Sequence, residues 1–169
     1  MATEAAGTLT LISKDDVKIS ISRKAASLAQ ILEDLIEDLP ESETELPVPL
    51  DAVDGATLKI VVDWCEHHSQ HSQEQSETFN PSSPCEIPPW DTAFLTFDNK
   101  QTIFDVTNAA NYMNIETLLD YCIKKVAKSL MGKSTQEMRD CLGIESDYTP
   151  EEEEKIRKEN EWAYDKSLD

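Results

Sequence analysis

Three features of the sequence predict an α+β fold: a small sheet near the start, a helical majority, and two further helices at the end. Apolar residues alternate with polar ones only between Leu9 and Ile21 and again at Leu46, Val48 and Leu50. From Arg23 onward they recur at intervals of three and four, the helical period. Beyond Gly132 two short segments each open on a capping residue of their own.

Taken in order, Leu9 and Leu11, then Val17, Ile19 and Ile21, form two alternating runs around Lys14-Asp15-Asp16 and read as a hairpin. Ala25, Leu28, Ile31, Leu32, Leu35 and Ile36 then make one apolar helical stripe with Glu33, Asp34, Glu37 and Asp38 opposite, stopped by Pro40. Leu46, Val48 and Leu50 alternate with Pro47 and Pro49, which suits a short edge strand. After Asp54-Gly55 a second helix runs through Leu58, Val61, Val62 and Cys65 and ends near His67-His68. Residues 69–89 shift to Ser, Gln, Glu and Pro and carry too little apolar surface to offset the entropy of ordering, so this stretch reads as a flexible insertion.

Helical character returns at Trp90-Asp91 through Phe97, and again from Ile103 through Met113. The longest stripe follows: Leu118, Leu119, Cys122, Ile123, Val126, Ala127 and Leu130, with Gly132 as its left-handed cap. Ser134 to Glu137 has the spacing of a capping box, and Thr149-Pro150 is an N-cap followed by proline at the first helical position. The expected division is a body over 1–132 and C-terminal helices over 133–169. Those helices carry Met138, Leu142, Ile144, Tyr148, Ile156 and Trp162 with little chain left to cover them, so a partner is their natural cover.

Composition narrows the function. Fifteen Lys and Arg against 34 Asp and Glu give a formal net charge of −19, which repels a phosphate backbone or an anionic lipid surface. Nucleic acid and membrane are therefore not expected partners, and no apolar run is long enough to span a bilayer. The first residues lack the basic and apolar regions of a secretory signal, and Cys65, Cys85, Cys122 and Cys141 form no paired motif. Both features fit reduced thiols in the cytoplasm or nucleus.

Sequence motifs for chemistry are sparse. Cys65, His67, His68 and His71 lie within a few residues, but their spacing matches no paired zinc framework, and the better reading is a helix C-terminus where His67 and His68 favour the dipole. An enzyme using Cys65 with His68 would rest on adjacency alone, and Cys122 falls inside an apolar stripe where an inert buried thiol is expected. With no nucleophile elbow and no phosphate-binding glycine loop, the reading is of no catalytic residues, no metal and no cofactor. Asn111-Tyr112, at a helix end, suits either a packed tyrosine with a capping amide or an exposed contact pair.

Several segments together resemble the S-phase kinase-associated adaptor family, the small proteins that link F-box proteins to a cullin in SCF-type ubiquitin ligases. The resemblance runs through Leu28 to Leu35, Pro47-Val48-Pro49-Leu50, Trp64-Cys65-Glu66-His67-His68 and Ile87-Pro88-Pro89-Trp90-Asp91. It continues in Ala109-Ala110-Asn111-Tyr112-Met113-Asn114-Ile115, Gly132-Lys133, and the tail from Thr149-Pro150-Glu151 to Trp162. It implies a BTB/POZ-type body followed by two C-terminal helices, and a non-catalytic adaptor. In that family the cullin is bound through positions that here are Ile103, Thr107, Asn111, Tyr112 and Val126. The F-box is bound through positions that here are Leu119, Ile123, Met138, Leu142, Ile144, Tyr148, Ile156 and Trp162. The expected partners are thus F-box proteins and a cullin N-terminal domain, with weak self-association of the free chain through the exposed surface. The rival reading is a cullin-independent subunit that stabilises F-box proteins or acts as a scaffold.

Overall fold

Burial of Leu9, Leu11 and Ile21 on one face fixes the opening hairpin. In the computed structural model, which describes residues 7–38, 47–71, 87–97, 99–145 and 147–161, strand β1 (Thr8–Ser13) pairs antiparallel with β2 (Lys18–Ser22). Leu9 stands opposite Ile21 and Leu11 opposite Ile19. The turn residue Asp16 takes a left-handed φ of 60°. Its neighbour Asp15 accepts hydrogen bonds from the Ser13 hydroxyl and the Gly55 N–H, both at 2.6 Å. These bonds, the Ser13 hydroxyl first, hold the Asp15 carboxyl below its usual range against a smaller desolvation effect. Gly55 is required there because a Cβ would lie 2.8 Å from the Val17 side chain.

Strand β3 (Val48–Leu50) lies parallel to β1, giving the order β2-β1-β3 and placing Pro49 on an edge as expected. The stripe from Ala25 to Ile36, expected as one helix, is two. Helix α1 (Arg23–Ala26) is capped by Ser22, and α2 (Gln30–Asp38) starts after a tight joint. At that joint the amides of Leu28 and Ala29 reach back only three residues, to the carbonyls of Ala25 and Ala26. The break buries Ala25, Ala26, Ala29 and Leu32 and leaves Leu35 exposed, so packing of small residues overrides the periodicity. Pro40 and Leu46 lie outside the described residues.

Helix α3 (Gly55–His71) is the central support, with Leu58, Val61, Val62, Trp64 and Cys65 buried. Its Glu66 carboxylate accepts from the Ser22 N–H at 2.6 Å and the Ser22 hydroxyl at 2.9 Å, fastening the end of β2. The helix runs past its expected end near His67-His68. Ser69 is buried and its hydroxyl donates to the Glu66 carbonyl, so the insertion does not begin at Ser69. Residues 72–86 lie outside the described residues, and at the far end Pro89 already opens α4 (Pro89–Phe94).

Asn99 caps α5 (Lys100–Tyr112), which buries Val106, Ala109 and Ala110. Asn114, at φ 53°, turns the chain into α6 (Glu116–Leu130). Of the stripe expected on α6, Leu118 and Cys122 are buried, joined by Tyr121, whereas Ile123 and Ala127 face outward. The apolar positions of α6 therefore span both sides of the helix, and only one side belongs to the core.

The chain divides into two compact units, Met1–Ser129 and Leu130–Asp169. In the second, Gly132 has φ 73°, and Ser134 caps α7 (Thr135–Leu142), which ends at left-handed Gly143. Thr149 caps α8 (Pro150–Glu159). Both caps are reciprocal boxes: Glu137 accepts from the Ser134 N–H at 2.8 Å, and Glu152 accepts from the Thr149 N–H at 3.0 Å. Neither helix buries a single residue.

Candidate docking faces

On α5 the inward residues Val106, Ala109, Ala110 and Met113 leave Ile103, Thr107 and Asn111 in a row at four-residue spacing. Ile103 and Thr107 are half-buried, and Asn111 is exposed. Tyr112, 39 % exposed, stands at the helix end beside Asn111 and outside that row. The Thr107 hydroxyl donates to the Ile103 carbonyl at 2.6 Å, so its polarity is absorbed by its own helix. Val126, on α6, is half-buried.

The outward side of α6 presents Ile123, 52 % exposed, one turn after Leu119, which is half-buried against the core. Burying the exposed half of Ile123 would gain about 1 kcal/mol, whereas its present exposure gains nothing.

In the second unit Met138 and Leu142 are half-buried, and Ile144, Tyr148 and Ile156 are 55 %, 49 % and 41 % exposed. Arg139 links α7 to α8 through Glu153 at 2.8 Å and stands 6.0 Å from the centroid of the Tyr148 ring. Cap and ion pair thus order a small helical pair, and no residue of α7 or α8 is fully buried. Trp162 lies outside the described residues.

The cluster around Cys65 does not converge. Burial pushes the Cys65 thiol up to about 12, with Glu66 adding to the effect. His68 pairs with Asp91 at 2.9 Å, and His71 meets the His67 carbonyl through Nδ1 at 2.8 Å. Desolvation, with His71 and His68 close by, holds His67 below the usual histidine range. Among the described residues no group of three or more His, Cys, Asp or Glu could hold a metal ion. Cys122 is also buried and pushed up to about 11, opposed by a hydrogen bond with Thr107.

Sequence reasoning missed Asp91. It reads as an acidic residue in a helical first turn, yet it is 1 % exposed and accepts from Trp64 Nε1 at 2.7 Å. The sequence offers no signal for it, because its partners Trp64 and His68 lie 27 and 23 positions away on another helix. Arg139 was missed for the same reason: its partner is on another helix.

A three-stranded sheet backed by helices, with exposed apolar side chains on α6 and on a capped helix pair, is the α+β architecture of a BTB/POZ-type body. Family models agree. The Skp1 family tetramerisation domain matches residues 7–70, and the Skp1 family dimerisation domain matches residues 116–163. The second match opens at the first residue of α6, so it takes in a helix of the first compact unit. The E3 ubiquitin ligase complex SCF subunit sconC of Talaromyces marneffei is 42 % identical over 161 residues, covering 95 % of this chain and 99 % of its own. The SCF ubiquitin ligase complex protein SKP1a of Dictyostelium discoideum is 40 % identical over 157 residues, covering 92 % and 95 %. The chain belongs to the Skp1 family.

Proposed function

We propose that the chain is a non-catalytic adaptor subunit of an SCF-type E3 ubiquitin ligase, bridging a cullin and F-box substrate receptors in ubiquitin-dependent degradation. The observation that carries this reading is similarity over nearly the full length to named SCF subunits. The exposed apolar residues of a helix pair that buries nothing of its own support it. The F-box is bound by Leu119 and Ile123 of α6 and by Met138, Leu142, Ile144, Tyr148, Ile156 and Trp162. The cullin N-terminal domain is bound by Ile103, Thr107, Asn111, Tyr112 and Val126. Catalysis belongs to the partners, and the adaptor works in cytoplasm and nucleus. Free chain self-associates weakly through its uncovered apolar surface.

The test mixes purified chain with a receptor's F-box segment and a cullin N-terminal domain and follows assembly by size-exclusion chromatography and titration calorimetry. A ternary complex is expected. Binding of neither partner would overturn the adaptor reading. Binding of the F-box segment alone would establish the cullin-independent reading.

A further inference from the structure

Helix α4 is only six residues long, too short to persist alone, yet it is held on two sides. Towards α3, the buried Asp91 carboxylate takes both the Trp64 indole N–H at 2.7 Å and His68 Nε2 at 2.9 Å. The Trp90 ring lies between His67, stacked at 3.5 Å, and Phe94, stacked at 4.8 Å. Towards α6, Lys125 Nζ donates to the Thr92 carbonyl and the Thr96 hydroxyl, each at 3.1 Å. The residue that grips α4 from α6 is therefore two positions from Ile123. On a helix of 3.6 residues per turn that places Lys125 about 160° round from Ile123. The contact with α4 braces the back of the turn whose front is the outward apolar face.

We propose that Asp91 is a positioning residue for the receptor-facing side of α6. By anchoring α4 on α3 it holds the carbonyl and hydroxyl that grip Lys125, and so fixes the turn presenting Ile123. The inference rests on the adaptor reading and adds to it a residue that touches no partner. A carboxylate suits the task because two donors converge on Asp91 Oδ1, and the neutral amide oxygen of an asparagine accepts them more weakly than a charged carboxylate does.

The test uses the full chain and an F-box segment that binds it, with titration calorimetry as the readout. Lys125→Met should weaken binding about three- to tenfold while the melting temperature of the chain stays nearly constant, since the lost bonds are exposed ones. Lys125→Arg, which keeps a donor, should restore most of the affinity. Asp91→Asn should weaken binding by a similar factor and shift the Trp64 indole N–H resonance. Combined with Lys125→Met, it should add less than about twofold, because both act on one tie. Effects that multiply, an affinity for Lys125→Met within about twofold of the unaltered chain, or no rescue by Lys125→Arg would overturn the proposal. Should Asp91→Asn fail to fold, the Lys125 pair of variants decides alone. Failure of the unaltered chain to bind any F-box segment would instead overturn the adaptor reading.

Discussion

Leu118 and Ile123 sit on the same helix and should separate folding from binding. Leu118 is fully buried, so Leu118→Ala removes transfer energy and leaves a cavity, costing about 2–5 kcal/mol of stability. Ile123 is 52 % exposed, so the folded chain already forgoes half of its burial energy. Complete burial of such a side chain contributes about 1.5–3 kcal/mol, and the unclaimed half is about 1 kcal/mol. Ile123→Ala should therefore weaken F-box binding about fivefold and barely move the unfolding midpoint. Calorimetric titration with an F-box segment and urea unfolding of the same samples measure both quantities. Should Ile123→Ala lower the urea midpoint as far as Leu118→Ala does, or leave F-box affinity unchanged, the division of α6 into an inward and an outward side would be wrong.

Asn111→Ala with Tyr112→Ala should cost about 2 kcal/mol of cullin binding and leave F-box binding intact, with circular dichroism unchanged; equal loss of both would show a folding defect. Ser134→Ala and Thr149→Ala should each remove about 1 kcal/mol of helix stability in the second unit, read as faster amide exchange in α7 and α8 respectively. The same caps carry a pH dependence. Backbone and hydroxyl bonds from Ser134 hold Glu137, and those from Thr149 hold Glu152, below the usual glutamate range. Their contribution is present above that range and fades as pH falls through the lowered values, so far-UV helicity should drop on acidification less in the two alanine variants than in the unaltered chain. Cys65 and Cys122, buried and pushed up to about 12 and about 11, should resist alkylation until the body unfolds, whereas half-buried Cys141 should react earlier, as mass spectrometry of the labelled chain can show.

The elements legible in the sequence are those set by neighbours along the chain. The hairpin around Lys14-Asp15-Asp16 and the caps at Ser134 and Thr149 rest on residues at most a few positions apart, and the structure has each of them. The joint at Ser27 to Ala29 was hidden because Ala25, Leu28, Ile31 and Leu32 fit an unbroken helix equally well. What decides is the burial of Ala25, Ala26 and Ala29, a tertiary effect. On α6, periodicity marks apolar positions without saying which of them reach the core, so Ile123 and Leu118 read alike. The docking positions came from family resemblance rather than from patterning, since an exposed tyrosine and a packed one look the same in sequence. Asp91 was illegible on any local argument, as its pairing with Trp64 spans 27 positions.

The two edges of the sheet bear on how such a chain survives before it meets a partner. On β2 the Ser22 N–H is already taken by the Glu66 carboxylate, and on β3 one of only three residues is Pro49, which has no N–H to offer. A stray strand, from another copy or from an unfolded neighbour, meets negative charge at one border and a missing donor at the other. Strand-on-strand aggregation is thereby discouraged, while exposed apolar side chains such as Ile123 and Ile156 lie on helices and not on a strand edge. A chain whose sheet borders are guarded in this way resists extending its sheet with a further strand.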